Sequence, residues 1–299
     1  MTENVRRYDG CMAGTHPWLE RRVIAYAHQG GAWEWPSSTL FAMRSAIAAG
    51  AHALELDAHG TADGHVVVCH DPTVDRTTDG SGAIAELTLA EVKALDSAYW
   101  FIPGADVTPG EPESAYPYRG RAASDPEFRI ASLAEVLEAF PGVILNLDIK
   151  QSAPAVAPYE KAVADLLAEF GRADDVIVTS FDDRVTETFS GFAAGVPTSA
   201  GTAATAAFYQ AVRAGEEPPS IPAVAFQVPE TYGDMVIVNE RFVEAAHRLG
   251  MAVHVWTVND TESMERLVDL GVDGVISDVP SALMSVLDDR QVAWGGPER

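Results

Sequence analysis

Cysteine is nearly absent: Cys11 and Cys69 are the two in 299 residues. That is too few for a disulfide framework, and their spacing is not that of a thiolate metal site. Basic residues are also scarce. Twenty Lys and Arg against 44 Asp and Glu leave a formal charge of −24. So acidic a surface repels nucleic acid and anionic headgroups and removes both as general partners. A phosphate-bearing substrate then needs a metal or a few basic residues to focus the field at its site. No uninterrupted apolar stretch approaches transmembrane length, so no stable membrane anchor is expected. No apolar run follows Arg6 and Arg7, so no signal peptide is expected either. With reduced thiols, these absences point to a cytoplasmic protein. Repeats of solenoid period and low-complexity tracts are absent too.

What is present is an alternation of short β-rich runs with amphipathic helical patterns, which implies parallel strands joined by right-handed crossovers. Strand-like runs start at Val23, Ala53, Val66, Val143, Val176, Val196, Ala223, Ala252 and Gly274. Helical patterns occupy Thr39–Ala49, Ala157–Phe170, Ala203–Ala214, Glu240–Leu249 and Glu262–Leu270. The expected fold class is α/β, a single (β/α)8 TIM barrel over residues 1–299. Nine runs are one too many for eight strands, and Val196–Ala200 is the weakest of them. A stretch rich in proline and aromatics, about 97–128, interrupts the rhythm and reads as an insertion near the barrel mouth. It either serves binding or packs on itself as a satellite.

Strand geometry then sorts the polar residues. Side chains at i and i+2 share a face, so Glu55 and Asp57 project together at a strand end, where a parallel barrel places its active site. Two acids on an otherwise apolar strand need a counter-charge, supplied by a divalent cation or by Lys or Arg. Hard oxygen ligands favour Mg²⁺ or Ca²⁺. Asn146, Asp148 and Lys150 face one way by the same rule, so Asp148 is either a third ligand or the ion-pair partner of Lys150. His28 and His70 end strands on either side of the Glu55 strand. Imidazoles suit the two proton transfers of phosphodiester cleavage, one at the attacking oxygen and one at the leaving alcohol. His254 shares a strand face with Trp256, and His59 follows the acidic pair as a candidate support. His16, His52, His65 and His247 read as surface or packing residues.

These residues fall into an ordered set of motifs: His28-Gln29-Gly30, Glu55-Leu56-Asp57, His70-Asp71 leading into Asp75-Arg76-Thr77-Thr78-Asp79-Gly80, Ile130-Ala131-Ser132-Leu133-Ala134-Glu135-Val136-Leu137, Asn146-Leu147-Asp148-Ile149-Lys150, Trp256-Thr257-Val258-Asn259, and Gly271 to Asp278. From Ala27 to about Pro280 the chain resembles the glycerophosphodiester phosphodiesterases. The resemblance implies a TIM-barrel hydrolase that releases an alcohol and leaves sn-glycerol 3-phosphate. It implies Ca²⁺ or Mg²⁺ on Glu55, Asp57 and Asp148, with His28 and His70 as the catalytic pair. Gln29, Lys150 and Trp256 are the implied substrate contacts. A neighbouring substrate hydroxyl attacks phosphorus in such enzymes, and water opens the cyclic product.

Three departures stand out. Gln29 replaces the family arginine after the first histidine, and an amide does not reproduce a bidentate guanidinium–phosphate contact. Ser37-Ser38-Thr39 stands where the family has Glu-Asn-Thr. Asp148 is one methylene shorter than the usual glutamate, and Glu34 is a candidate to compensate. Trp33 and Trp35 are candidates to line a pocket for a bulkier alcohol or an acyl group. The competing readings are a lysophospholipase D or sphingomyelinase-D-like enzyme acting on a lysophospholipid, and a catalytically silent phosphate-ester-binding barrel. A barrel isomerase or aldolase is disfavoured, because no late glycine-rich phosphate loop accompanies a catalytic Lys or Glu.

Overall fold

A computed structural model describes residues 16–20, 23–105, 107–150 and 153–296. The readings of Cys11 and of the first residues lie outside that set. Eleven strands are present among the described residues: β1 Ile24–His28, β2 Ala53–Gly60, β3 Val66–Val68, β4 Ile144–Ile149, β5 Val176–Thr179, β6 Ser199–Ala200, β7 Ala225–Pro229, β8 Thr231–Tyr232, β9 Met235–Val236, β10 Ala252–Trp256 and β11 Gly274–Ser277. The helices are α1 Pro17–Glu20, α2 Leu40–Ala48, α3 Leu89–Lys93, α4 Leu133–Ala139, α5 Glu160–Glu169, α6 Asp183–Phe192, α7 Thr202–Ala214, α8 Glu240–Arg248, α9 Thr261–Leu270 and α10 Pro280–Asp289.

Eight strands form the barrel, in the order β5-β4-β2-β1-β11-β10-β7-β6, all parallel. A parallel bridge between Val178 and Thr198 brings the two ends together. The surplus ninth run is therefore Val66–Val68, not the weak Val196–Ala200, which supplies β6. The cause is the length of the link. Only residues 61–65 separate β2 from β3, and a parallel crossover needs about a dozen residues or more. The chain instead turns at Gly64, whose φ is 82°, and β3 pairs antiparallel with the end of β2. His70 therefore leaves a hairpin arm beside the rim and not a barrel strand.

Alternation along the strands makes two kinds of core. Lumen-facing Ile24, Tyr26, Ala53, Ile144, Ile177, Ala225, Ala252 and Ile276 plug the lower barrel. The outward residues pack under the helices in two large clusters, one beneath α2, α4, α5 and α6 and one beneath α7 to α10. Above the plug, Asn146 and Gln227 close the lumen with a reciprocal pair of amide hydrogen bonds, 2.8 and 3.0 Å.

Helix starts carry local signals. Thr39 accepts from Ala42 N, and Ser132 forms a capping box with Glu135. No helix among the described residues is long and apolar enough to cross a membrane.

The 97–128 segment is a satellite. Phe128, Ala98 and Ala122 bury against Phe41 of α2 and Tyr118. The Arg119 guanidinium lies over the rings of Tyr116, Tyr99 and Trp100 at 3.7, 4.2 and 4.7 Å. It touches a mouth loop, through Gly104 N to Trp33 O at 2.6 Å, but lines no part of the main cavity.

Candidate active site

Register assembles the site. In parallel pairing His28 stands beside Glu55, Glu55 beside Asn146, Asp57 beside Asp148, and Asp148 beside Thr179. Each belongs to the lumen-facing set of its strand. Together they form an ionisable layer at the C-terminal rim, directly above the Asn146–Gln227 floor.

Each histidine is oriented by a carboxylate. His28 Nδ1 is 2.6 Å from Asp278 Oδ1, and Asp278 Oδ2 accepts from Asn259 Nδ2 at 2.7 Å. His70 Nδ1 is 2.7 Å from Asp71 Oδ1, and Asp71 is gripped by Arg76 at 2.6 and 3.1 Å. The hydrogen bond from His70, more than the Arg76 contacts, holds the Asp71 carboxyl well below the usual range against the opposing effect of burial. With Nδ1 engaged, Nε2 is the remaining polar atom of each ring; that of His28 lies 3.2 Å from the Gln29 amide and 3.7 Å from Glu55 Oε2, and both imidazoles line the cavity. The two imidazoles meet edge to face, centroids 5.8 Å apart. His59 supports the second of them, its Nε2 lying 3.4 Å from His70 O.

The acids are buried beside one cation. Lys150 Nζ lies 2.8 Å from Asp57 Oδ1 and 2.8 Å from Asp148 Oδ2, so one ammonium bridges acids of two strands. Burial pulls the lysine pKa down, but Asp57, Asp148 and Glu55 outweigh it and raise it above the ordinary value. Burial, reinforced by Asp57, pushes Glu55 up to about 8 against His28 and Lys150. Asp148 rises by burial to about 6 despite Lys150. His28 responds to the same field: burial lowers it, yet Asp278, Glu55 and Asp57 carry it to about 9.

One lysine does not satisfy this wall. Among the described residues, Asp57 Oδ2 and Asp148 Oδ1 have neither a hydrogen bond nor an ion-pair contact, and Glu55 Oε2 meets His28 alone, at 3.7 Å. Unpartnered buried carboxylate oxygens are costly. A set of hard oxygen donors fits a divalent cation of the Mg²⁺ or Ca²⁺ type. The donors are not yet gathered round one point: no three His, Cys, Asp or Glu side chains among the described residues stand in metal-holding geometry.

The remaining expectations separate. Lys150 and Trp256 line the cavity with His28, Glu55, His70 and Asp148. Gln29 does not line it. It is buried at φ 52°, its backbone tied to Glu55 O and Ser38 N and its amide 3.2 Å from His28 Nε2. Glu34 points away and accepts from Ser281 Oγ at 2.9 Å, so it does not compensate for Asp148. Trp33 and Trp35 are likewise outside the cavity; Trp35 folds back on Gly31, where an added Cβ would meet its ring at 2.9 Å. The aromatics that do line the opening are Phe181, Tyr209, Tyr232 and Trp256. His254 faces the lumen, but below the site against Tyr26 and Trp18, where burial lowers it to about 4. His16, His52 and His247 are packing residues, bonded to Gly250 O, stacked on Trp294 and paired with Asp273.

Asp278 and Asn259 appear in the sequence only as members of motifs, with no role attached. The register of β1 on β11 sets Ala27 beside Ser277, and one further step along it sets His28 beside Asp278.

A parallel eight-stranded barrel with paired imidazoles, buried acids and a lysine at its C-terminal mouth has the build of a TIM-barrel enzyme. The chain belongs to the Glycerophosphoryl diester phosphodiesterase family, whose model matches residues 28–282. It is 28% identical over 268 residues to the Glycerophosphodiester phosphodiesterase of Caldanaerobacter subterraneus subsp. tengcongensis, covering 89% of this chain and 98% of that one. Its fold matches the crystal structure of a putative glycerophosphoryl diester phosphodiesterase from Silicibacter pomeroyi with a TM-score of 0.72, at 24% identity over 94% of this chain and 97% of that one. It also matches a phosphodiesterase of Oleispira antarctica, solved in complex with the product sn-glycerol-3-phosphate, with a TM-score of 0.64, at 20% identity over 88% and 96% of the two chains.

Proposed function

We propose that the protein hydrolyses a glycerophosphodiester to sn-glycerol 3-phosphate and an alcohol, with His28 and His70 transferring the protons. The observation that carries this reading is the pair of imidazoles, each held at Nδ1 by its own carboxylate and both facing one cavity that also contains Glu55, Asp148 and Lys150. Family membership and the product bound by the Oleispira antarctica relative support the substrate class.

A phosphodiester seated between the rings has a neighbouring glycerol hydroxyl as its nucleophile. One imidazole takes that hydroxyl's proton as the oxygen bonds to phosphorus. The other gives a proton to the departing alcohol oxygen as its bond to phosphorus breaks. Water then opens the cyclic phosphodiester with the two roles exchanged, which restores both rings. Asp278 and Asp71 hold each ring in one tautomer and stabilise it when protonated. Glu55, Asp57 and Asp148 are the residues that would hold Ca²⁺ or Mg²⁺, and such a cation supplies the positive charge that offsets the phosphoryl oxygens. Lys150 adds a fixed ammonium at the same wall.

The test is glycerophosphocholine hydrolysis with and without chelator, repeated on His28→Ala and His70→Ala. Each substitution should lower kcat by about 10²- to 10⁴-fold. Two fully active variants would remove the histidine mechanism, and a chelator-insensitive rate would remove the cation. Bound substrate without turnover would instead identify a binding barrel.

A further inference from the structure

Gln29 was expected at the substrate, yet the side chain it meets is a histidine. Its side-chain nitrogen lies 3.2 Å from His28 Nε2, the ring atom that Asp278 leaves over. Glu55 Oε2 faces the same atom at 3.7 Å, beyond hydrogen-bond range. Among the described residues Gln29 is therefore the hydrogen-bond partner of that nitrogen. His70 has no such counterpart among them: Asp71 holds its Nδ1, and its side chain is 38% exposed against 15% for His28.

The chain holds Gln29 in this place against a conformational cost. A φ of 52° lies in the left-handed region, which residues other than Gly, Asn and Asp seldom enter. Ser38, at φ 60°, shares that conformation, and its N–H donates to Gln29 O at 2.8 Å. Gln29 N donates in turn to Glu55 O at 2.9 Å. Two backbone bonds thus pin the residue, which is buried. Its Oε1 has no hydrogen-bond partner among the described residues. Left alone, a buried amide oxygen is costly. Half a turn of the amide, however, sets that oxygen where the nitrogen stood. Gln29 can therefore donate to an unprotonated Nε2 and accept from a protonated one, whereas a guanidinium offers donors alone.

We infer that Gln29 is a positioning residue for His28, its amide restraining the ring at Nε2 before and after each proton transfer. The inference rests on the reading of His28 given above and extends it. The ring is held at both nitrogens, by Asp278 at one and by Gln29 at the other. Substrate oxygen and amide meet Nε2 in turn, so the ring is never left to rotate about a single contact. Gln29 lines no part of the cavity, so it acts on the substrate only through His28.

The experiment measures steady-state kinetics on glycerophosphocholine for the native protein and for Gln29→Asn, Gln29→Met and Gln29→Arg. Asparagine suits the left-handed backbone better than glutamine, but its amide is one methylene short of the ring. Gln29→Asn should keep the native Tm and still lose kcat about tenfold, the effect of one hydrogen bond, with KM within about twofold. Gln29→Met keeps the length without the amide and should lose as much. Gln29→Arg restores the residue of the family motif, yet its donors serve only the unprotonated ring, so kcat should fall with no gain in KM. Native kcat in Gln29→Asn and Gln29→Met overturns the proposal, as does a loss confined to KM. A Gln29→Arg enzyme with native kcat and a lower KM also overturns it and returns the position to the phosphate. A second readout does not depend on turnover. In protein labelled with ¹⁵N-histidine, Gln29→Met should shift the His28 Nε2 resonance and leave that of His70 Nε2 in place. If the native protein hydrolyses no diester, the assigned reaction fails and this shift decides for Gln29: its presence supports the restraint, and an unchanged His28 Nε2 overturns it.

Discussion

Asp278 Oδ1 lies 2.6 Å from His28 Nδ1, and Asp278 in turn accepts from Asn259 Nδ2 at 2.7 Å. Two hundred and fifty residues separate the pair along the chain. They meet because the first and last barrel strands are neighbours. The contact holds the neutral ring's proton on Nδ1 and leaves Nε2 as its other polar atom, and it is the strongest raising influence on the ring's pKa.

Asp278→Asn preserves the shape and removes the charge. The imidazole can then adopt the wrong tautomer, and its protonated form loses a counter-charge. The expected result is a fall in kcat of about 10²- to 10⁴-fold with little change in KM. Asn259→Ala leaves the carboxylate in place and only loosens it, so its loss should be about 10- to 100-fold. Steady-state kinetics on glycerophosphocholine distinguishes the two. An Asp278→Asn enzyme with native kcat would show that His28 needs no such partner.

How much of this was legible in the sequence follows from the range of each signal. Period-two alternation in Glu55-Leu56-Asp57 and Asn146-Leu147-Asp148 is local, and it placed the acids on the lumen face correctly. The hairpin role of Val66–Val68 was hidden, because three valines read alike in a barrel strand and in a hairpin arm; the five-residue link before them was the discriminating clue. Helix α6 lies outside the helical patterns read from the sequence, although Asp182 caps it and Val185 and Phe189 recur on one face. The aromatic lining was misassigned for a conformational reason. Gly30 and Gly31, at φ 83° and 91°, curl the first loop so that Trp35 turns inward, while Tyr232 and Met235 reach the cavity from a hairpin between β7 and α8 that alternation did not reveal. The pairing of Lys150 with two acids on different strands depends on register, which a single strand does not encode.

The raised groups predict a pH trend in stability. Glu55 at about 8, Asp148 at about 6 and His28 at about 9 each bind protons more tightly in the folded state than their ordinary values allow. The native state therefore holds more protons than the unfolded chain. Their contribution is greatest at low pH, declines first through the Asp148 and Glu55 ranges, and is lost by the time His28 deprotonates near 9. The lowered His254, at about 4, and the lowered Asp71 give the opposite slope, but below the ordinary histidine value of 6.5, at the edge of that window and beneath it. In chelator, Tm should fall steadily from pH 6 to pH 9. Added Ca²⁺ or Mg²⁺ should flatten the fall and release protons on binding, measurable by calorimetry in buffers of different ionisation enthalpy. A Tm that rises toward pH 9 in chelator would contradict the assigned burial of these acids.

Lys150→Met removes the ammonium from between Asp57 and Asp148. Those carboxylates are then left buried without their cation, at an expected cost of about 3–5 kcal/mol for a broken buried pair. The loss should appear as a lower denaturant midpoint in chelator. Divalent cation should restore much of it, because the same oxygens can pair with the ion. Equal midpoints for the native and variant proteins in chelator would mean that the lysine does not neutralise this wall.

The Asn146–Gln227 floor offers a test that separates packing from polarity. Each amide satisfies the other across the lumen, at 2.8 and 3.0 Å. Asn146→Leu strips the half-buried Gln227 of both contacts at the base of the cavity, where solvent meets the freed amide in part, so the expected cost is about 1 kcal/mol, the low end for an unsatisfied amide. Replacing both residues removes the orphan along with the bond, so Asn146→Leu/Gln227→Leu should be less destabilising than the two single changes added together, a coupling of about 0.5–3 kcal/mol in a double-mutant cycle. Gln227 also borders the cavity, so the double variant should keep its fold yet bind the diester more weakly, with the change in KM rather than in kcat. Additive stability losses would show that the two amides are satisfied independently, and that the floor beneath the imidazoles is not a single hydrogen-bonded unit.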